Sequence, residues 1–295
     1  MNDHLFHTAP KTVGVIAGRM LIYAMLILMV LYFLLPFIVM VLTSLKTMAD
    51  IRTGNLISWP REFTLDAWKT AWGSACIAVE CNGIKVYFWN SVKIVVPAVI
   101  ISTLIGAANG YVFSKWKFWG SEVLFSLLLL GCFIPFQAIL LPMAQTLGKL
   151  GLSQSLAGLI LVHIIYGLAF TTLFFRNYYV TIPDELVKAA RIDGAGFFRI
   201  FWKILLPVST PIFVVSVIWQ TTQIWNDFLF GVVFSAGGNQ PITVALNNLV
   251  NTSTGTKAYN VDMAAAIIAA MPTLLVYIVA GKYFVRGLTA GSVKG

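Results

Sequence analysis

Side chains that could carry out catalysis are few in this sequence, and none of them has a recognisable catalytic or metal-binding spacing. Only 11% of the 295 residues are charged. The sequence has no HExxH motif, no paired aspartates in its apolar stretches and no serine–histidine arrangement. Its three cysteines and three histidines are scattered and form no CxxC, so no zinc site is expected. These absences predict a chain that is not an enzyme and holds no metal.

Polar residues that interrupt long apolar stretches are the next candidates for function, because a polar group in such surroundings is expensive to bury. They are Asn109, Gln137, Gln145, His163, Gln220, Gln223, Asn226 and Asp227. Two interpretations stay open for each: contact with a transported or bound molecule, or a hydrogen bond between neighbouring helices. For His163 a packing role is favoured.

Charged residues are concentrated in residues 182–207, IPDELVKAARIDGAGFFRIFWKILLP, which we call the charged segment. Pro183 suits a first helical turn, and Asp184 and Glu185 complement the positive end of the helix dipole. The helix is predicted to stop at Asp193-Gly194, since glycine adopts the left-handed conformation that ends helices.

A second short helix is predicted after the glycine of the charged segment. Its apolar face would contain Phe197, Phe198, Phe201, Ile204 and Leu205. The plain interpretation of the whole segment is an ordinary basic loop. Two amphipathic helices joined by one glycine favour a rigid surface for a partner, on which an added side chain at the glycine would obstruct the tight join.

The solvent around most of this chain is predicted to be lipid. Of its residues 59% are hydrophobic, whereas a soluble domain would have about a quarter of its residues charged. No basic run or basic–aromatic patch suggests nucleic acid. We predict an all-α, polytopic membrane protein with six transmembrane helices at residues 20–43, 92–113, 123–147, 155–175, 207–234 and 263–285.

The distribution of lysine and arginine predicts the orientation of these spans. With the N-terminus inside, 12 of the 20 basic residues lie in inner segments, as the positive-inside rule favours. Both termini are then cytoplasmic. The predicted organisation is a cytoplasmic segment 1–19 and a six-helix membrane domain 20–295, with a cytoplasmic loop 176–206 and outer loops 47–91 and 235–262.

The first predicted outer loop is rich in tryptophan and contains two cysteines. The stretch FTLDAWKTAW has a Thr64 cap signal before a short helix, which is interpreted as lying at the membrane surface. Cys76 and Cys81 could pair across a bent loop in an oxidising compartment, or remain free. Cys132 is interpreted as a small buried apolar residue.

The charged segment resembles the EAA loop of bacterial ABC importer permeases, which contains Glu-Ala-Ala, Asp-Gly-Ala and Ile/Leu-x-Leu-Pro. Matching positions are Ala189, Ala190, Asp193, Gly194, Ala195 and Pro207, while Lys188 stands where the family has glutamate and Glu185 lies one turn earlier. WNSVKIVV is similar to the start of the permease core. IWNDFLFG, QPITVALNNL and KYFVRGLTAGSVKG resemble the binding-protein-dependent carbohydrate branch of the maltose-permease type, including glucose/mannose-type permeases.

This resemblance implies the type I ABC importer permease fold and a place in the bacterial inner membrane. It implies one of two permease subunits, usually two different chains, working with two ATPase subunits and a periplasmic sugar-binding protein. The chain has no GxxxxGK[ST] motif, so ATP and Mg²⁺ are expected only on the ATPase subunits. The second candidate function is an ion-coupled secondary transporter, which would require paired ionisable groups in the spans.

The resemblance also assigns roles to residues. The helix around residues 184–192 is expected to dock on the ATPase subunit. The residues expected to couple the two subunits are Glu185, Lys188, Ala189, Ala190, Asp193, Gly194, Ala195 and Pro207. A neutral sugar calls for amides and stacking rings, so the expected substrate pathway contains Phe136, Gln137, Trp219, Gln220 and Gln223. The outer loop 235–262 is expected to reach the sugar-binding protein, since a plain connector has no need of its apolar stretch ITVALNNLV.

Overall fold

The computed structural model describes residues 13–116, 118–251 and 257–290, with side chains from residue 15 to residue 281. The described residues are helical apart from turns and one isolated bridge between Ile77 and Glu80, so the predicted all-α class is confirmed. The helices are α1 Val13–Ser44, α2 Met48–Thr53, α3 Asp66–Gly73, α4 Lys85–Lys115, α5 Ser121–Phe133, α6 Phe136–Lys149, α7 Leu156–Val180, α8 Asp184–Ile192, α9 Phe197–Ile200, α10 Leu206–Val208, α11 Thr210–Trp225, α12 Leu229–Phe234, α13 Ile242–Val250 and α14 Tyr259–Ala290.

Among the residues that the structure describes, four helices are long and apolar enough to cross a membrane unaided: α1, α4, α7 and α14. Two further spans are present only if bent pairs count as one span each, namely α5 with α6 (103°) and α9–α10 with α11 (80°). The predicted spans at residues 123–147 and 207–234 are therefore interrupted by bends. Counting each bent pair as one span gives six membrane spans in the described part of the chain.

The break between α5 and α6 has a local cause. Ile134 precedes Pro135, and the residue before a proline is pushed out of the helical region. Its backbone is extended, with φ −68° and ψ 122°. The break before α11 lies at Ser209, between Pro207 and Pro211, two residues that cannot donate a backbone hydrogen bond.

The chain divides into two compact units, of which the larger contains Lys69–Lys257 and the chain from Ala265 onward. Its centre is the pairing of α4 with α7. A Cβ on Gly106 would overlap Thr171, and one on Gly110 would lie 2.6 Å from Phe175 Cβ and 2.7 Å from Arg176 N. Small residues at these positions allow two membrane helices to approach closely.

The smaller unit contains the chain from α1 to Trp68, together with Ala258–Ala264. The apolar side chains of α1 are exposed along most of its length, which suits contact with lipid. Lys46 is only 2% exposed, and its Nζ donates to Asn55 O (3.2 Å) and Ser58 Oγ (3.2 Å). Helix α1 begins at Val13, within the segment 1–19 that was predicted to precede the spans.

Candidate functional site

The first half of the charged segment is the amphipathic helix α8. Asp184 and Glu185 lie in its first turn, and Arg191 lies in its last turn, as the helix dipole favours. Val187 and Ala190 are buried and pack into an apolar cluster with Tyr111 and Phe175. One face of α8 therefore packs against α4 and α7, while the opposite face is exposed.

Gly194 ends α8 in a left-handed conformation, with φ +77°. Ala195 N donates to Ala190 O (2.9 Å) and Gly194 N donates to Arg191 O (3.0 Å), the pattern of a Schellman cap. A Cβ on Gly194 would meet nothing within 4 Å. A side chain at Gly194 would therefore oppose the join through the backbone angle, which L-residues rarely adopt, and not through a clash with neighbouring atoms.

The second half of the charged segment continues from α9 through a π-helical turn, Phe201–Leu205, into α10. The wider turn precedes Pro207, which has no N–H to donate to the preceding turn. Phe201 and Leu205 are buried as predicted. Phe198 is 73% exposed, so its placement on the buried face is corrected.

The exposed face of the charged segment contains most of the residues expected to contact an ATPase subunit. Glu185, Lys188, Ala189, Asp193, Gly194 and Pro207 are exposed, and Ala195 is partly buried. Ala190 is 8% exposed and packs inside the protein, so it is not on this exposed face. Apolar side chains that the sequence did not single out share the exposed surface: Leu186, Ile192 and Trp202.

A cavity of about 320 Å³ lies between α6, α7 and α11–α12. Its lining combines rings with polar groups: Phe136, His163, Tyr166, Trp219, Gln220, Thr222, Gln223, Asn226, Asp227 and Phe230 are among its residues. The ring of Tyr166 contacts other aromatic rings, with centroids 6.1 Å from Phe170 and 5.5 Å from Phe230. A mixture of apolar surface and a few polar groups is typical of small-molecule sites.

Four of the five residues predicted for a substrate pathway line this cavity, and Gln137 does not. Gln220 is 1% exposed and donates from Nε2 to Ser102 Oγ (2.8 Å), so it joins α11 to α4. Gln223 is exposed at the cavity. The two amides, three residues apart on α11, thus have different surroundings.

Sequence reasoning did not select Tyr166 and Phe230. A usable signal was present for Tyr166, because His163, Tyr166 and Phe170 are spaced as neighbours on one helix face. His163 packs as expected, 6% exposed, with its ring 5.6 Å from Phe230. No comparable spacing points to Phe230, which enters the cavity from the short helix α12.

Asp227 serves partly as a helix cap. Its carboxylate accepts from Phe230 N (3.3 Å) and Gly231 N (3.0 Å) at the start of α12, and lies 3.8 Å from His163 Nε2. Thr243 Oγ1 donates to Asp227 O (2.5 Å). These contacts hold the corner between α11 and α12 against α7 and fix one wall of the cavity.

The predicted outer loop 235–262 folds in part against its own unit. Ile242, Val244 and Ala245 of α13 are buried, and a Cβ on Gly231 would lie 2.9 Å from Val244 Cγ2. Internal packing therefore accounts for the apolar stretch that had suggested a partner. Residues 252–256 lie outside the described residues.

Cys76 and Cys81 form a disulfide, with an S–S distance of 1.95 Å. The short bend between them contains the bridge from Ile77 to Glu80 and places Ala78 at φ +55°. Thr64 Oγ1 accepts from Asp66 N (3.1 Å) at the start of α3, where the sequence indicated a cap. Cys132 is a free, partly buried thiol.

Comparison with known proteins identifies a family model that matches residues 98–289, described as "Binding-protein-dependent transport system inner membrane component". A Pyrococcus horikoshii protein named "Probable ABC transporter permease protein PH1216" is 49% identical over 176 residues, covering 59% of this chain and 63% of the relative. The "Xylose/arabinose import permease protein XacI" of Haloferax volcanii is 31% identical over 308 residues, covering 96% of each chain.

A solved structure has a similar fold. It is a bacterial ABC transporter involved in the import of the acidic polysaccharide alginate, and one of its chains matches this one with a TM-score of 0.80. The match covers 94% of this chain and all of that chain at 20% sequence identity. Because the sequence identity is only 20%, this structural similarity establishes the fold alone.

Proposed function

Because this chain belongs to the family of binding-protein-dependent transport system inner membrane components, we propose that it is the membrane-spanning permease subunit of an ATP-driven sugar importer. The observation that carries this proposal is the placement of the charged segment. Its buried residues pack against α4 and α7, and Glu185, Lys188 and Ala189 are exposed and accessible to a partner. A family defined by binding-protein dependence counts against the ion-coupled alternative.

The proposed partners follow from the chain's own composition and from its family. The sequence contains no phosphate-binding GxxxxGK[ST] loop, so hydrolysis of ATP with Mg²⁺ is assigned to two separate ATPase subunits. A second permease subunit, a different chain, completes the pathway. A periplasmic sugar-binding protein delivers the substrate from outside the inner membrane.

The proposed mechanism is a switch between two states. Closure of the ATPase subunits on ATP moves the charged segment as a rigid body, and the attached membrane helices turn the pathway from inward-facing to outward-facing. The Schellman cap at Gly194 and the buried residues Val187 and Ala190 supply the stiffness that this motion requires. Lys188 replaces the family's glutamate, so Glu185 is the proposed carboxylate at the interface.

The cavity between α6, α7 and α11–α12 is the proposed sugar contact of this subunit. Sugar recognition combines ring stacking with hydrogen bonds to hydroxyl groups. Trp219, Tyr166 and Phe136 offer the rings, and Gln223 offers an exposed amide. The named relative imports xylose and arabinose, which favours a neutral sugar as substrate for this chain.

Uptake of a panel of labelled monosaccharides and disaccharides, in cells with and without this chain, tests the proposal. We expect uptake of at least one neutral sugar to require both the chain and ATP. Dissipating the ion gradients while maintaining ATP should leave uptake intact. Loss of uptake under that condition would favour the ion-coupled alternative.

Docking of the ATPase subunit is tested with single cysteines at neighbouring positions of α8. Ala189→Cys is exposed and should crosslink to the ATPase subunit, whereas Ala190→Cys is buried and should not. The two cysteines occupy adjacent positions of α8, so each variant serves as the control for the other. Equal crosslinking at both positions, or none at Ala189→Cys, would contradict the proposed docking face.

A further inference from the structure

The end of α4 contacts the first helix of the charged segment through a buried lysine. Lys115 is the last residue of α4, and its Nζ donates to Ile182 O (2.6 Å) and to Asp184 Oδ1 (2.6 Å). The Lys115 side chain is 4% exposed, while that of Asp184 is 59% exposed. Charge-assisted bonds of this length hold the start of α8 in one position relative to α4.

The residue after Lys115 adds contacts to both helices of the charged segment. The guanidinium of Arg191, at the end of α8, lies 4.8 Å from the ring of Trp116. Trp116 also meets Phe197 of α9, with ring centroids 5.4 Å apart, and donates from Nε1 to Tyr111 Oη (2.7 Å). Tyr111 in turn stacks on Phe197 at 4.7 Å. The last turn of α4 therefore holds α8 at both ends and α9 at its start.

The opposite end of α4 holds the polypeptide around residues 238–242. Asn90 Nδ2 donates to Gly238 O (2.6 Å) and to Gln240 O (3.1 Å). Ser91 Oγ accepts from Ile242 N (2.9 Å). Because α4 has 31 residues, it is about 45 Å long. A single helix thus contacts the charged segment and the segment 238–242 at its two ends.

We propose that Lys115 is a positioning residue that makes α4 a direct link between the charged segment and residues 238–242. The covalent connections of the charged segment lead to α7 and α11; the Lys115 contacts add α4 as a third attachment. Gly106 and Gly110 pack closely against α7, so in this proposal α4 and α7 move together. This inference rests on the proposed function, in which ATPase subunits drive the charged segment.

The test uses the complete importer in proteoliposomes, with Lys115→Met and the matched control Lys149→Met. Lys149 is an exposed lysine at the end of α6. We expect Lys115→Met to lower sugar imported per ATP hydrolysed by about tenfold, the scale of coupling lost when a connecting contact is removed. Lys149→Met should match the wild type. Lys115→Arg retains the donors and should restore most of the coupling.

A second readout separates positioning from simple misfolding. In a Cys132→Ser background, a fluorophore on Asn239→Cys, at an exposed position of the segment 238–242, reports movement of that segment when ATP is added. The signal should persist with Lys149→Met and disappear with Lys115→Met, although the ATPase subunits still copurify. Lys115→Met and Asp184→Ala should be non-additive when combined, since they remove the same contact.

The outcomes are distinguishable. A wild-type complex that imports no sugar with ATP would overturn the proposed function and this inference together. A wild-type complex that imports sugar, with Lys115→Met behaving like Lys149→Met in both readouts, would overturn the inference alone. So would an assembled Lys115→Arg complex that stays as uncoupled as Lys115→Met.

Discussion

Burial and hydrogen bonding divide residues of the same type between structural and binding roles. Gln220 and Gln223 lie on the same helix. The Gln220 amide donates a hydrogen bond to Ser102 and packs against Gly167, whereas the Gln223 side chain is exposed at the cavity. Ala189 and Ala190 differ in the same way on α8. The roles of such residues are decided by what each side chain contacts.

Replacing the two glutamines by alanine should therefore have different effects, one on stability and the other on sugar uptake. Gln220→Ala should lower the stability of the purified protein in detergent by about 1 kcal/mol, since it removes a hydrogen bond between helices. Gln223→Ala should leave stability within about 0.5 kcal/mol and raise the KM for sugar uptake several-fold. Thermal unfolding and transport kinetics measure the two effects; equal behaviour of both variants would contradict this division.

Gly194 offers a test of backbone conformation without a change in packing. Gly194→Ala and Gly194→Glu should each destabilise the charged segment by about 1–2 kcal/mol, the cost of a left-handed residue. Gly194→Glu also adds charge to the docking face and should abolish uptake while leaving membrane insertion intact. Gly196→Ala is the control, because Gly196 has φ −76° and no atom within 4 Å of an added Cβ. Sugar uptake and the amount of copurified ATPase subunit give the comparison.

Bends and close approaches define the elements of this protein more than helix length does. The α5–α6 break at Pro135 brings Phe136 to the cavity, and the break after Trp225 brings in Asp227 and Phe230. The α4–α7 pair instead depends on two glycines without side chains at its contact. The cavity and the charged segment thus share α7, which lines the cavity and packs against the charged segment.

A methyl group at Gly110 should push α4 and α7 apart, because it would contact backbone atoms of Arg176 and Phe175 within 2.8 Å. Gly110→Ala is expected to destabilise the protein by about 1–3 kcal/mol. The control is Gly131→Ala in α5, where an added Cβ would meet only Ala169 Cβ at 3.4 Å. Thermal unfolding of both variants in the same detergent measures the difference, and an unchanged Gly110→Ala protein would refute the tight pairing.

The larger unit brings three features onto one scaffold: the charged segment, the cavity and the segment 238–242 all pack on α4, α7 or α11. A permease subunit requires such a connection, because energy released on one side of the membrane must change a pathway within it. The proposed orientation places the charged segment inside the cell and the Cys76–Cys81 bend outside.

Labelling with a membrane-impermeant maleimide tests this orientation and the disulfide together. In intact spheroplasts of a Cys132→Ser variant, Cys76 and Cys81 should be labelled only after treatment with a reductant. The thiol introduced by Phe198→Cys, at an exposed position of the charged segment, should be labelled only after the membrane is opened. Labelling of the charged segment in intact spheroplasts would reverse the proposed topology.

The sequence alone determined the helical membrane class, the approximate spans and the end of α8 at Asp193-Gly194. Apolar stretches of about 20 residues and a helix-ending glycine are local signals, so no distant contact is needed to interpret them. Only the tertiary structure decided that Ala190 and Gln220 are buried, that Gln137 lies outside the cavity, and that Tyr166 and Phe230 line it. These properties depend on which helices meet, because burial and hydrogen bonding are set by neighbours far apart in the chain. Lys115 illustrates the difference: its charge is visible in the sequence, but its bond to Asp184 exists only because α4 ends beside α8.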